Sequence, residues 1–289
     1  MVSYQKLFKK IRHAMFQKRH AFMRQRTDWK TVIEFRNCKF WAGPDNKIEA
    51  VLLQSDGRYD ISNFAAIEKL VNHGDVCFDI GANIGIYSVI FSKLSGQDTN
   101  THSFEPVAHI RNRLTMNAKL NGFDDIHVNA FALGATPETT NMNQVKEGVF
   151  RGGTSSFLKN ENWQSLSESD FEAVPVEIKT LDSYASNKNL KKINFLKIDV
   201  EGFEWNVLQG AQETLKRFKP HILMEYDFDR HNEEQKPDDY KDFFESIGYR
   251  AYEFVLGGGE LYLLPYTFGH TPINRNIICI HPELDQHEK

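Results

Sequence analysis

The sequence has no run of about 18 uncharged apolar residues, so its pattern holds no membrane-spanning helix. The first residues lack the apolar core and small-residue cleavage site of a secretory signal, and a cytoplasmic protein is expected. Cysteine is scarce: Cys38, Cys77 and Cys279 are odd in number, far apart and form no C-x-x-C pair. That argues against a disulfide framework and a structural zinc site, and reads them as small buried hydrophobes. There is no internal repeat and no G-x-G-x-x-G dinucleotide fingerprint.

What is present is 289 residues, 40% hydrophobic and 26% charged, enough for one large α/β domain or two small ones. The net charge of -4 is unevenly spread. Residues 1–30 hold nine Lys/Arg against Asp28 alone, +8, which leaves -12 on the rest of the chain. The spacing of Tyr4, Leu7, Phe8, Ile11, Met15, Phe22 and Met23 among basic residues predicts an amphipathic helix. Such a helix suits an anionic membrane surface, an anionic polymer or another subunit, and equally a solvated face on its own domain.

The expected organisation is a basic helix at 1–30, a β lead-in and helix at 31–72, and a main domain at 73–283 with an insertion at about 134–190. In the lead-in TVIEF, KFWA and IEAVLLQ read as β-rich runs around the turn Gly43-Pro44-Asp45-Asn46, with a helix over 63–72. Strands then alternate with helices: VCFDI (76–80), helix 84–94, THSFE (101–105), helix 108–120 and IHVNAFA (126–132). After the Gly/Ser/Asn-rich insertion, which contains VPVEIKT, come INFLKID (193–199), helix 204–218, HILMEY (221–226), helix 238–247, and strands 249–256 and 276–280. Alternation of this kind implies right-handed crossovers and a parallel sheet.

Three stretches carry chemistry. In VCFDIGANIGIYS a buried strand ends at Asp79 and turns through Gly81, Ala82 and Asn83 into a helix near Gly85, leaving N–H groups exposed to a ligand. Glu105 ends the next strand, at the offset of an acid that accepts ribose hydroxyls. Asp79 ahead of the glycines suits a cationic group better than a pyrophosphate, which favours S-adenosylmethionine. In NFLKIDVEGFEWNVLQGA, strand alternation places Lys197 and Asp199 on one face at a strand's C-terminal end, with Glu201 in the turn. These groups could orient a hydroxyl and remove its proton; the alternative is an internal Lys197–Asp199 ion pair with Glu201 capping the next helix. Glu225 closes the following strand.

DIGANIGIYS, FEP, GGTSS, TLDSYA and above all LKIDVEGFEWNVLQGA resemble the FkbM family of S-adenosylmethionine-dependent methyltransferases, over residues of about 75–230. The resemblance implies the class I methyltransferase fold: a Rossmann-like, mostly parallel seven-stranded sheet of order 3-2-1-4-5-7-6 with the last strand antiparallel. It also implies O-methylation, often of a sugar or polyketide hydroxyl. Carried over, it puts Asp79, Gly81, Asn83 and Gly85 around the cofactor's methionine part, Glu105 on its ribose and Asp199 beneath the sulfur. It puts Ser155 and Ser156 in a covering loop and Ala130 with Phe131 at the adenine edge.

Asp199 or Glu201 is expected as the base, oriented by Glu225 and tuned by Lys197, with His102 and His231 next in line. Asp199, Glu201 and Glu225 have the chemistry to hold Mg²⁺, but the absence of a dedicated metal spacing argues against it. A small-molecule or glycan hydroxyl is the expected acceptor, with Trp163, Phe171, Tyr226 and the Gly257-Gly258-Gly259 loop as pocket candidates. The acidic body lacks interleaved Arg and aromatic residues, which argues against nucleic acid, although RNA ribose 2′-O-methylation stays an alternative. So do a nicotinamide-dependent oxidoreductase and a noncatalytic cofactor-binding protein.

Overall fold

The chain is described by a computed structural model over residues 31–43, 47–55, 59–146, 155–156, 167–226, 236–273 and 275–284. The basic stretch at 4–23, Trp163 and His231 lie outside these residues. A hairpin comes first, β1 (Thr31–Phe35) and β2 (Cys38–Ala42), closed by Arg36 and Asn37. Both are left-handed, with φ 52° and 56°, and that two-residue turn matches the twist of antiparallel strands.

Helices α1 (Lys47–Gln54) and α2 (Ile61–Leu70) follow. The expectation of a β-rich run at IEAVLLQ is therefore corrected to a helix. Ile48 and Leu52 stand one turn apart, and Glu49 is fully buried 3.0 Å from the Arg113 guanidinium. A short apolar run does not distinguish strand from packed helix; the tertiary contact decides.

Strands and helices then alternate through β3 (Cys77–Ile80), α3 (Ile86–Ser95), β4 (Thr101–Phe104), α4 (Ala108–Leu120) and β5 (His127–Asn129). The single strand expected over 126–132 is split. The Asn129 side chain donates to the Ser103 and His127 carbonyls, and the chain passes into a second sheet. That sheet comprises β6 (Ala132–Leu133), β7 (Glu138–Val145), β8 (Ser155–Ser156) and β9 (Phe171–Lys179), in the order β6-β9-β7-β8.

Helix α5 (Leu181–Asn187) leads back to β10 (Phe195–Ile198), α6 (Glu204–Gln209), α7 (Gln212–Phe218) and β11 (His221–Glu225). The one helix expected over 204–218 is two, broken at Gly210 and Ala211. A side chain at Gly210 would meet the Gly134 carbonyl at 2.0 Å, so the break brings the start of the second sheet against the helix layer. Last come α8 (Pro237–Ser246), β12 (Arg250–Gly257), β13 (Glu260–Pro265) and β14 (Asn276–Ile280).

The main sheet runs β13-β12-β14-β11-β10-β3-β4-β5. It is parallel from β11 to β5, while β14 is antiparallel to both neighbours and β13 to β12. It holds eight strands where seven were expected. The additional one, β13, forms a hairpin with β12 through Gly258 and Gly259, so the Gly257-Gly258-Gly259 loop, a pocket candidate, is a hairpin turn.

Every residue of β3, β4 and β10 is buried, as central strands covered on both faces require. One apolar cluster fills the side facing α2 and α3, around Phe64, Tyr87 and Phe91. The other fills the side facing α5 to α8, around Leu196, Leu208 and Tyr240. The three cysteines are buried and unbonded. Among the described residues no helix is long and apolar enough to cross a membrane.

Candidate functional site

Parallel register brings four strand ends level. Ile80 pairs with Phe104 and Ile198, and Ile198 with Met224, so the turns that follow β3, β4, β10 and β11 share one edge. Open α/β sheets hold ligands outside that edge.

The turn after β3 is built by close approach. Gly81 is left-handed (φ 79°), and a Cβ there would lie 1.9 Å from the Asp199 carbonyl oxygen, so no other residue fits. The Gly81 and Ala82 amides donate to the Phe104 carbonyl at 3.1 and 3.0 Å. Asn83 adopts φ 50° and sends its own amide to Glu105 Oε2 at 3.0 Å, while Glu105 Oε1 accepts from the Val107 amide at 2.9 Å. Glu105 thus bolts the glycine turn to the turn after β4. Burial pushes its carboxyl up to about 7.

Two lobes meet at this turn. The first is walled by Glu105, Pro106, Ile110, Leu133, Met142 and Phe203. The second is walled by Ile48, Tyr59, Ile86, Tyr87 and Lys197. Gly81, Asn83, Asp199 and Glu201 line both. A larger depression across α8, β12 and β13 includes none of these residues.

A charge chain runs from the lining of the second lobe to its buried floor. Lys197 Nζ is 3.2 Å from Asp199 Oδ2, 3.7 Å from Asp79 Oδ1 and 4.6 Å from the Tyr87 ring centre. Asp79 has no exposed surface and accepts a 2.6 Å bond from Ser88 Oγ. Burial raises the Asp79 carboxyl despite Lys197. The same burial would lower the lysine, but Asp199 and Asp79 outweigh it and hold the amine above its usual range.

The turn after β10 is held by Glu204, not by Glu201. Buried Glu204 Oε1 accepts from the Val200 and Gly202 amides at 2.9 and 3.3 Å, and burial pushes the group up to about 7. Glu201 is left-handed at φ 55° and lines both lobes. Carboxylate oxygens of Asp199, Glu204 and Glu225 lie within 4.8 Å of one another.

A family model for the methyltransferase FkbM domain matches residues 79–251, more than half the chain, and begins and ends within this sheet. The chain belongs to the FkbM methyltransferase family. Methyltransferase 1 of Beauveria bassiana (strain ARSEF 2860) is 23% identical over 186 residues, 60% of this chain and 72% of that one. Among solved structures, methyltransferase FkbM of Methylobacillus flagellatus KT aligns with 15% identity and TM-score 0.42, over 72% of this chain and 43% of that one. The chain therefore spans less than half the length of that protein. The O-methyltransferase of Bacillus cereus, solved in complex with SAH, aligns with 14% identity and TM-score 0.41, over 81% of this chain and 90% of that one. The mostly parallel mixed sheet with helices on both faces is that of a class I methyltransferase fold.

In this FkbM methyltransferase Gly81, Asn83, Glu105, Asp199, Glu201 and Lys197 all reach the cleft. Gly85 stands behind it, at the start of α3, with Leu114 against it. Three expectations are corrected. Asp79 lies under the turn, occupied by Ser88 and Lys197, and lines neither lobe. Ala130 is exposed; Ala132, Leu133 and Met142 form the wall expected of it, while Phe131 packs on Phe104 and Tyr184. His102, a reserve base, is buried against Tyr184 (Nδ1 to hydroxyl 2.8 Å), and burial lowers it to about 3.

The backbones of Ser155 and Ser156 pair with Gln144 and Asn143 in the second sheet. Phe171 sits in β9, and Tyr226 is buried against Tyr240. Sequence reasoning missed Glu204, although its place within the KIDVEG-x-E string was a usable signal. It also missed Tyr59 and Tyr87, and for Tyr59 no local signal exists, because α1 and the turn before α2 reach the cleft only through the tertiary fold.

Proposed function

We propose that this chain is an S-adenosylmethionine-dependent O-methyltransferase acting on a hydroxyl of a sugar, glycan or related small molecule. The observation that carries the reading is the cleft of two lobes crossing the glycine turn. The first lobe combines apolar walls with the Glu105 carboxylate, as an adenosine requires, and the second adds Lys197 and two tyrosines to Asp199 and Glu201, as a charged amino-acid tail requires. When bound, S-adenosylmethionine supplies an electrophilic methyl group and its leaving group.

The chain's part is then positioning and proton removal. Glu105, kept in place by its amide partners, would hold the ribose hydroxyls. Leu133 and Met142 would hold the adenine, and Asn83 and Gly81 keep the turn open. Asp199, lining both lobes, takes the acceptor proton, with Glu201 and Glu225 orienting the hydroxyl and Lys197 fixing the carboxylate. Positioning contributes about 7–11 kcal/mol in favourable cases, against a 10²- to 10⁴-fold gain from a placed base. Geometry therefore dominates.

Mg²⁺ is not assigned: Glu204 is committed to two amides and Asp199 to Lys197. The basic stretch at 4–23 suits peripheral docking on the anionic inner face of a membrane, with the catalytic body in the cytoplasm. Incubation with methyl-labelled S-adenosylmethionine and extracts fractionated into saccharide, lipid, nucleic acid and small molecules tests the assignment. Label in a base-stable saccharide ether supports it, and label confined to nucleic acid overturns the acceptor class.

A further inference from the structure

A zwitterionic amino-acid tail in the second lobe needs an anion for its ammonium. Asp79 is not available, being fully buried and given to Ser88 and Lys197. Asp199 is engaged by Lys197 at 3.2 Å, and Glu201, which lines both lobes, is assigned above to the acceptor hydroxyl. A further carboxylate, outside the segment that matches the family, stands directly behind two tyrosines of the lobe.

Asp60 precedes α2 at the position where an aspartate ordinarily caps the helix, yet its side chain makes no cap bond. It accepts a 2.8 Å hydrogen bond from the Tyr87 hydroxyl, and Tyr59 hydrogen-bonds to it as well. Tyr87 is fixed in turn, its hydroxyl accepting from Asn63 Nδ2 at 3.1 Å, its ring stacked on Phe64 at 4.6 Å. Both tyrosines line the second lobe. Asp60 also holds φ 44°, a left-handed backbone that is unfavourable for a residue with a side chain. Two local preferences are given up, and the carboxylate is held instead on the two tyrosines that line the lobe.

Resting on the cofactor reading above, we propose that Asp60, oriented by Tyr87 and Tyr59, is the carboxylate that receives the α-ammonium of the cofactor's amino-acid tail. Helix α2, which precedes the family segment, then completes the cofactor site from outside it. A carboxylate so placed leaves the adenosine end untouched and reads the tail alone.

The test is a cycle between ligand and protein, measured by calorimetric titration. The ligands are S-adenosylhomocysteine and its deaminated analogue, 5′-S-(3-carboxypropyl)-5′-thioadenosine; the proteins are wild type and Asp60→Asn. Asparagine keeps the shape and tolerates the left-handed backbone. Loss of the amino group is expected to weaken binding to wild type by roughly ten- to a hundredfold and to Asp60→Asn by less than about threefold. Equal losses in the two proteins, or no loss in wild type, overturn the proposal while leaving the cofactor reading intact. If wild type binds neither ligand, the cofactor reading itself falls. Should Asp60→Asn fail to fold, Tyr87→Phe carries the same comparison: a reduced sensitivity to the amino group supports the proposal, and an unchanged one overturns it.

Discussion

The ammonium of Lys197 lies 3.2 Å from the carboxylate of Asp199, and the pair spans from the buried floor of the cleft to its lining. Strand alternation makes this contact, since the two residues are i and i+2 on the way out of β10. The lysine, 5% exposed, also answers Asp79, which is not exposed at all.

Lys197→Met removes the only cation within ion-pair distance of Asp79 among the described residues. The expected loss is about 3–5 kcal/mol, toward the lower end because Asp79 takes up a proton in compensation. Urea denaturation at pH 7 measures it, and a loss below about 1 kcal/mol would show that the lysine does not stabilise the floor.

Asp199→Asn tests the base directly. A fall in turnover of about 10²- to 10⁴-fold is expected, with S-adenosylhomocysteine affinity largely kept, because a general base acts in the transition state and not in the bound ground state. Near wild-type turnover would move the role to Glu201.

Gly81→Ala places a methyl carbon where the Asp199 carbonyl now sits, at 1.9 Å, on a backbone with φ 79°. Strands β3 and β10 must separate at their ends. A cost above about 3 kcal/mol is expected, beyond ordinary overpacking, with cofactor binding lost. A thermal melt and a titration report the two effects separately.

Glu105 and Glu204 are both pushed up to about 7 by burial. A carboxyl with a raised folded pKa binds more protons folded than unfolded, so between the ordinary carboxyl range near 4.5 and about 7 stability falls as pH rises. Melting temperature in low-salt buffers should decline across that window. Glu105→Gln should flatten the decline, and an unchanged slope would remove Glu105 as its source.

The carboxylates of Asp199, Glu204 and Glu225 converge, yet turnover is expected to survive EDTA within about twofold. Glu204 Oε1 already receives two amides, and Asp199 receives Lys197. Abolition by chelator with recovery on added Mg²⁺ would assign the trio to a metal.

The parallel α/β alternation, the glycine turn, Glu105 and the KIDVEG segment were legible in the sequence, because each rests on short-range pattern: apolar strands, turn residues, fixed offsets. The same pattern misled at IEAVLLQ, whose helical state depends on burying Glu49 beside Arg113, and at Ala130, two residues short of the wall that Ala132 and Leu133 form. It also placed Asp79 at the ligand, when the packing of Ser88 and Lys197 draws that carboxylate beneath the turn.

By itself the sequence determined the family, the order of the main elements and the residues of the turns, since local spacing sets backbone conformation and strand faces. Only the tertiary structure decided which charges meet. Lys197 against Asp79 and Asp60 beside Tyr87 are contacts between elements distant in the chain, and no local spacing encodes them.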